Sequence, residues 1–291
     1  MVLRSLLASG HQPPAGGVER AIDFIRRHTD SEGALGRADA LLPDYPTYAT
    51  ALAIFALHAR KDCGDLVRRM SDYLRTQQFA EDNGWSPDHP AYGAWGMGGD
   101  PKRPPHPGHV DLSMTRHAIQ ALHTSVGGKQ DPALKKARVF LARCQNRGNG
   151  GDGGFFFSPV VVDANKAGHD GKRYRSYASA TADGILALLG TGSPHHSEEL
   201  QAARRWLQNR LPCFTGEAHA RWSQGLFFYY AAAGAEAFAT LGIPGPASWI
   251  PSLAARQRSD GNWRNPEPLV KEDDPLIATA LALRAFTWSC Q

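Results

Sequence analysis

YATALAIFAL, residues 48–57, is nearly repeated at the far end of the chain as IATALALRAF, residues 277–286. Five consecutive residues and a sixth further on are identical in the two segments. Three segments of the same apolar character lie between them: SMTRHAIQAL from Ser113, SATADGILALL from Ser179 and GLFFYYAAAGAEAF from Gly225. Self-similarity along a chain is typical of repeat architectures. The sequence therefore predicts a fold assembled from copies of one unit.

A second kind of helix precedes each of these apolar segments, and it has one apolar stripe. Val18, Ala21, Ile22 and Ile25 have the i, i+3, i+4, i+7 spacing of a helix with one buried face. Related spacings recur at Leu66, Met70, Tyr73 and Leu74; at Leu134, Ala137 and Leu141; at Leu200, Ala203 and Leu207; and, more weakly, at Ile250, Leu253 and Ala254. The pattern predicts about five to six helical hairpins, each with an amphipathic helix followed by an apolar one.

The alternation of the two helix types indicates how the hairpins are arranged. A helix that is apolar all round must be buried on every side, whereas a helix with one stripe lies at the surface. Two concentric layers meet both demands, so we expect an all-α fold, an α/α toroid over residues 17–291. An open solenoid is the alternative. Long loops, residues 79–111, 146–176 and 258–275, are expected at the mouth of the central cavity.

Composition excludes several classes of protein. The chain has 291 residues, 42% hydrophobic and 21% charged, and its net charge of +4 is dispersed, so no nucleic-acid partner is expected. Four cysteines without a CxxC pair indicate neither a zinc module nor a disulfide framework, and no metal or other cofactor is predicted. No apolar run approaches the roughly 20 residues that span a bilayer. Residues 1–16 are interpreted as a disordered leader of a cytoplasmic protein, with secretion as the alternative.

QRSDGNW, Gln257 to Trp263, matches Gln-x-x-Asp-Gly-x-Trp, the repeat motif of squalene-hopene cyclases and their relatives. Degenerate copies run from Gln78 through Asp82 to Gly84-Trp85, and from Gln145 to Asp152-Gly153. With GGVERAIDFI, VDLSMTRHAIQAL, DGGFFFSP and DDPLIATALAL, they make the chain resemble the squalene-cyclase and prenyltransferase repeat family from about Gly17 onward. The resemblance implies a toroid and isoprenoid chemistry. The motif itself is interpreted as structural, because it contains neither a nucleophile nor a poised base.

Three carboxylates are candidate catalytic acids. A class II terpenoid cyclase uses the middle acid of Asp-x-Asp-Asp-Thr, and the nearest stretch here, KEDDPLIATA from Lys271, supplies Asp273 and Asp274 but has Pro275 in place of the Thr. Capping of the following helix is the alternative role for either acid. Asp183 lies in an otherwise apolar helix, where a carboxylate needs a partner or a proton. A structural pair with Arg173 or Arg175 is the alternative for Asp183.

Aromatic side chains are expected to line the cavity, where they can hold a hydrophobic chain or shield a carbocation. The candidate substrate-binding residues are Trp85, Tyr92, Trp95, His117, Tyr177, Tyr229 and Tyr230. The zinc-binding Asp, Cys and His of the related protein prenyltransferases have no counterpart in this sequence, so a zinc-dependent transferase is not expected.

Two functions follow from these residues. In the first, a toroid with an apolar central cavity acts on or binds an isoprenoid, and an enzyme of this kind would be similar to class II terpenoid cyclases. In the second, a non-catalytic toroid binds a lipid, a peptide or a protein partner through its loops. The sequence leaves the choice between a hydrophobic small molecule and a protein partner open.

Overall fold

The computed structural model of the chain describes residues 1–8, 10, 14–37, 44–126, 130–209 and 224–289, and in these residues it is all-helical. The α-helices are α1 Val2–Ala8, α2 Gly17–His28, α3 Pro46–Leu57, α4 Gly64–Thr76, α5 Leu112–Val126, α6 Pro132–Cys144, α7 Ala178–Gly190, α8 Glu198–Asn209, α9 Phe227–Thr240, α10 Trp249–Ala254 and α11 Pro275–Ser289. None of these helices has both the length and the apolar character needed to cross a membrane.

The apolar helices predicted from the repeated segments are buried, and small residues let them pack closely. Within α7, only Ala178 and Leu189 are partly exposed. Gly184, in the middle of α7, has the ring of Phe155 directly against it, so a Cβ at this position would collide with the ring. Close packing of this kind explains why a helix-destabilising glycine is found inside an apolar helix.

The contacts among six helices return to their starting point. Helix α3 packs on α5, α5 on α7, α7 on α9, α9 on α11, α11 on α1, and α1 on α3. We call these six the inner helices. The amphipathic helices α2, α4, α6, α8 and α10 are the outer helices: α4 packs on both α3 and α5, α6 on both α5 and α7, α8 on α7, and α10 on α11.

The loop from an outer helix to the next inner helix contains a recurring set of hydrogen bonds, and we call this loop a joint. In the joint of α10, Gln257 Nε2 donates to Gly261 O at 2.9 Å, and Trp263 Nε1 donates to Leu253 O at 2.7 Å. The backbone N–H of Trp263 donates to Thr279 Oγ1 at 3.0 Å, which fastens the joint to α11. The same backbone bond links Leu35 to Thr50 and Phe155 to Thr181. The Gln-x-x-Asp-Gly-x-Trp segment therefore holds helices together.

The joint of α4 differs from the sequence prediction. Gln78 Nε2 donates to Gly93 O at 3.0 Å, Trp95 N donates to Thr115 Oγ1 at 3.1 Å, and Trp95 Nε1 donates to Leu74 O at 2.7 Å. Gly93 and Trp95 are thus the counterparts of Gly261 and Trp263, and the assignment of Gly84-Trp85 was wrong. An inserted turn between Gln78 and Gly93 carries Trp85, and spacing along the chain favoured this nearer Gly-Trp pair.

The prediction of a disordered leader was wrong for residues 2–8. These residues form α1, in which Leu3 and Ser5 are buried. Ser5 Oγ donates to Ala280 O of α11 at 2.8 Å, and Arg4 lies 3.7 Å from Glu236 of α9. The short apolar run of VLRSLLA gave no periodicity long enough to reveal a helix, and contacts with α3 and α11 stabilise it instead.

Candidate functional site

Every inner helix contributes a polar side chain to one connected group at the centre of the cycle, which we call the central cluster. Its members are Arg4 of α1, Tyr48 of α3, Ser113, Arg116, His117 and Gln120 of α5, Asp183 of α7, Tyr229 and Glu236 of α9, and Arg284 of α11. Buried polar groups require partners, and these residues supply them to one another from all six helices.

The central cluster has two levels. Tyr229 and Glu236 are seven residues apart on α9, as are Ser113 and Gln120 on α5, and two helical turns separate such residues by roughly 10 Å. The tyrosine level, near the joints, contains Tyr48, Ser113, Asp183 and Tyr229, and Tyr177 at the start of α7 is grouped with it because the charge of Asp183 acts on its pKa. The ion-pair level contains Arg4, Arg116, Gln120, Glu236 and Arg284.

Glu236 is the centre of the ion-pair level. Its Oε2 accepts from Arg116 Nη2 at 2.9 Å and from Arg284 Nη2 at 2.6 Å, and its Oε1 accepts from Gln120 Nε2 at 3.1 Å. Burial acts to raise the pKa of Glu236, but Arg116 and Arg284 outweigh it and lower the pKa to about 2. Burial lowers the pKa of Arg4 to about 9, and the nearby Arg284 acts in the same direction. This level binds five side chains into one ionic network.

Asp183 is the acid of the tyrosine level. Tyr229 Oη lies 3.1 Å and 2.9 Å from its two carboxylate oxygens, and Ser113 Oγ lies 2.5 Å from Tyr229 Oη. Burial raises the pKa of Asp183 to about 6, although Arg116, whose Nε is 3.8 Å away, and Tyr229 act to lower it. The predicted partners Arg173 and Arg175 are not used: the structure pairs Asp183 with α5 and α9 instead.

His117 is held in its neutral form between the two levels. Its Nδ1 donates to Ser113 O at 2.8 Å, which leaves Nε2 to accept from Arg116 Nη1 at 2.7 Å. Burial and the charge of Arg116 lower the pKa of His117 well below its usual value. The Tyr48 ring lies 4.5 Å from the imidazole ring. His117 is therefore an uncharged side chain that lies between Arg116 and the Tyr48 ring.

Three tyrosines at this level combine deep placement with partial accessibility. Tyr48, Tyr177 and Tyr229 are partly exposed side chains, yet burial among protein atoms raises the pKa of all three. Among the described residues, Tyr177 Oη has no hydrogen-bond partner. Lys166 Nζ lies 5.9 Å from the centre of the Tyr177 ring, and burial lowers the pKa of this lysine.

The three acids of KEDDP, residues 271–275, have different roles from those that the sequence predicted. Asp274 Oδ1 accepts from Leu276 N at 2.8 Å and so caps α11, which is the predicted alternative role. Asp273 makes no side-chain hydrogen bond to any described residue. The buried acid is Glu272, which accepts from Phe228 N at 3.1 Å, Tyr229 N at 2.7 Å and Asn265 Nδ2 at 2.9 Å. Glu272 fixes the start of α9 and thereby the position of Tyr229, and burial raises its pKa to about 7.

The predicted aromatic residues fall into two groups. His117 and Tyr229 belong to the central cluster, and Tyr177, at the start of α7, lies near enough to Asp183 for the charge of this acid to act on its pKa. Trp85, Tyr92 and Trp95 are bonded within the loop and joint after α4, through Lys102 O, Glu81 and Leu74 O, and no hydrogen bond or ring contact among the described residues links them to the central cluster. The Tyr230 ring packs against Trp249 of α10, 5.6 Å away.

Seven members of the central cluster were not among the candidate site residues: Arg4, Tyr48, Ser113, Arg116, Gln120, Glu236 and Arg284. Glu236 lies in AAAGAEAFAT and Arg284 in ALALRAF, each a lone charge in an apolar helix. That is the signal by which Asp183 was selected, so it could have identified both. Arg4 carried no such signal because its helix was not predicted.

Neither a metal site nor a known relative aids the interpretation of this site. No three His, Cys, Asp or Glu side chains within the described ranges are arranged to hold a metal ion. A comparison of the sequence with protein-family models gave no match, and a comparison with curated proteins gave none. The chemistry of the central cluster must therefore be argued from its own geometry.

Proposed function

We propose that the chain is an α/α toroid that binds an isoprenoid-like molecule in a hollow at the tyrosine level, without protonating it. The observation that carries the proposal is the partial accessibility of Tyr48, Tyr177 and Tyr229 among the inner helices. Side chains that are surrounded by protein and still accessible border an internal space. The hollow would be walled by aromatic rings and closed on one side by the ion-pair level.

Two features support the toroid. The contacts of the inner helices form a closed cycle, with amphipathic helices packed outside it. The joints repeat one register, in which a backbone N–H two residues after a glycine donates to a threonine near the start of an inner helix. A repeated register of this kind is what a solenoid or toroid built from one unit requires.

The side chains that would line the hollow indicate the chemistry of the ligand. Aromatic faces suit a hydrophobic chain. A buried hydroxyl without a partner is costly, on the order of 1–3 kcal/mol, and Tyr177 Oη would regain a hydrogen bond from a ligand with one polar group. An apolar chain ending in a hydroxyl, such as a prenyl alcohol, fits both properties.

The state of Asp183 argues against alkene protonation. An alkene is a very weak base, so its protonation requires an acid stronger than an ordinary carboxylic acid. Burial instead raises the pKa of Asp183 to about 6, which makes it a weaker acid. Its oxygens accept from Tyr229 and lie near Arg116 Nε, and these contacts limit the effect of burial on the pKa without offsetting it. We therefore assign Asp183 to orienting Tyr229 within the binding site.

The test compares two ligands of equal chain length, farnesol and the hydrocarbon farnesene, by isothermal titration calorimetry. Farnesol is expected to bind about fivefold more tightly, which corresponds to one hydrogen bond of about 1 kcal/mol. Tyr177→Phe should abolish the preference while keeping the ring. Tyr92→Phe, which removes a hydroxyl bonded to Glu81 in the loop after α4, is the matched control and should leave the preference intact.

Three results would contradict the proposal. The first is that neither ligand binds. The second is a preference for farnesol that survives Tyr177→Phe. The third is a cyclised product, detected by mass spectrometry after incubation with farnesol or squalene, that disappears in Asp183→Asn; it would show that the protein is a cyclase after all.

A further inference from the structure

Each joint is built to receive the next outer helix along the chain. Gln78 Nε2, in the joint of α4, donates to Ala133 O of α6 at 2.8 Å. Gln145 Nε2, in the joint of α6, donates to Glu199 O of α8 at 2.8 Å. Ala133 and Glu199 are both the second residue of their helix. The joint glutamine thus satisfies a carbonyl in the first turn of the next outer helix.

The joint glycines show the same alignment between a joint and the next outer helix. Gly33, Gly93 and Gly153 all have a positive φ, and a Cβ at each would collide with α4 at Arg69, with α6 at Lys136 and with α8 at Ala202. Those contacts fall at the fifth or sixth residue of each outer helix. Three joints therefore pack their glycine directly on the backbone or side chain of the following outer helix.

The joint of α10 has the same glutamine and glycine, but no following outer helix packs against them among the described residues. Gln257 is exposed, and its Nε2 bonds only Gly261 O among the described residues. Gly261 also has a positive φ, but nothing lies within 4 Å of the position of a Cβ. The outer helix that would follow in the cycle belongs outside α11 and α1, and no described outer helix packs extensively on both.

Apolar side chains are exposed on α1 and α11, the two helices that this outer helix would cover. Val2 of α1 is 44% exposed and Leu276 of α11 is 66% exposed. Leu283 is partly exposed, whereas Leu281 and Ala285 of the same helix are buried. An exposed apolar face beside a polar rim is typical of an interaction site.

We propose that an amphipathic helix of another protein docks outside α11 and α1. It would contact the joint of α10 as α6 and α8 contact the joints of α4 and α6. Within the joint of α10, residues 256–264 carry Arg256, Arg258 and Arg264 against one acid, Asp260, a net charge of +2 from 3 − 1. In the joint of α6, Arg147 pairs at 2.8 Å with Glu198 at the start of α8. The partner helix therefore begins with acidic residues, whose charge also favours a helix N-terminus, and presents an apolar stripe to Val2 and Leu283. This inference rests on the contacts of the joints and holds whether or not the hollow binds a ligand.

The test uses a fluorescent peptide with the sequence of residues 197–209, SEELQAARRWLQN, stapled at the positions of Gln201 and Arg205 to hold it helical. Fluorescence anisotropy measures its binding to the full chain. Val2→Glu should weaken binding at least tenfold, and Gln257→Ala about fivefold, the loss of one hydrogen bond. Val162→Glu, at a residue that is also 44% exposed but lies in the loop after α6, is the matched control and should bind as the unaltered chain does. A peptide with lysines in place of its two glutamates should bind at least fivefold more weakly.

Absence of binding to the unaltered chain would overturn the inference, as would equal binding to the Val2→Glu and Val162→Glu variants. Analytical ultracentrifugation tests the alternative occupant, a second copy of this chain. If the chain forms a dimer that Val2→Glu dissociates, a second copy covers this face and the proposed heterologous partner is wrong.

Discussion

The tyrosine level and the ion-pair level are built by the same inner helices about two turns apart, yet their side chains are satisfied differently. At the ion-pair level, Glu236 accepts from three residues, and its pKa is lowered to about 2. At the tyrosine level, the pKa of Asp183 is raised to about 6, and Tyr177 Oη has no partner among the described residues. Both levels leave buried polar atoms without a described hydrogen-bond partner, among them Arg116 Nε, Arg284 Nε and Tyr177 Oη. The difference therefore lies in the carboxylates: arginines outweigh burial at Glu236, whereas burial prevails at Asp183.

The first prediction removes the charge at the centre of the ion-pair level. Glu236→Gln keeps the shape of the side chain but leaves the buried Arg284 and the mostly buried Arg4 without a counter-charge among the described residues. Arg116 keeps only Asp183, at 3.8 Å. Loss of one partner of a buried ion pair costs about 3–5 kcal/mol, so the free energy of unfolding, measured with urea, should fall by that amount. Asp65→Asn, which breaks an exposed pair with Arg68, is the control and should change little. A small effect of Glu236→Gln would mean that the two levels do not differ in their contribution to stability.

The second prediction concerns the pH dependence at the tyrosine level. Because the pKa of Asp183 is higher in the folded chain than its usual 3.8, the folded state binds its proton more tightly. The resulting stabilisation is complete below about pH 4 and is lost as the pH rises through about 6. The loss is on the order of 2–3 kcal/mol. Urea unfolding from about pH 4.5 to pH 7 should show this loss in the unaltered chain and not in Asp183→Asn.

Glu272 also titrates in the same interval, but it is common to both proteins. The difference between the two pH profiles therefore isolates Asp183. Identical profiles for the unaltered chain and Asp183→Asn would show that Arg116 and Tyr229 hold the Asp183 carboxylate ionised throughout, and the contrast with Glu236 would disappear.

The third prediction has the smallest effect. Tyr177→Phe removes a buried hydroxyl that has no described partner, so the ligand-free protein should become more stable by about 1 kcal/mol. Tyr92→Phe removes a hydroxyl that donates to Glu81 at 2.6 Å and should lower stability. Thermal unfolding of the two variants measures both changes. A loss of stability in Tyr177→Phe would indicate that its hydroxyl is already satisfied, and the hollow would lose its polar contact.

The sequence predicted the helices better than it predicted the site. Leu66, Met70, Tyr73 and Leu74 are buried in α4 as their spacing indicated, because helical periodicity is a local property. Asp183 was identified because a lone carboxylate in an apolar helix is conspicuous. The identity of its partners could not be predicted, since Arg116 and Tyr229 lie 67 and 46 residues away, 183 − 116 and 229 − 183.

Motif-based reasoning also placed several aromatic residues wrongly in relation to the joints. Trp85 was taken for the motif tryptophan, whereas Trp95 occupies that position and bonds Leu74 O and Thr115. The distance from Gln78 favoured Trp85, although only Gly93-Ala94-Trp95 keeps the Gly-x-Trp order of the motif. Hydrogen bonds to the flanking helices distinguish the two tryptophans.

The sequence by itself determined the two helix types, the repeated unit and the structural role of Gln257 to Trp263, because burial stripes and turn-forming residues act over a few positions. Only the tertiary structure decided which acids are ionised, which tyrosines stay partly exposed, and that residues 2–8 form a helix packed between α11 and α3. Those properties depend on burial and on charges brought together from six helices. A carboxylate in α7 and one in α9 look alike in the sequence, and the arginines around each make their pKa values diverge.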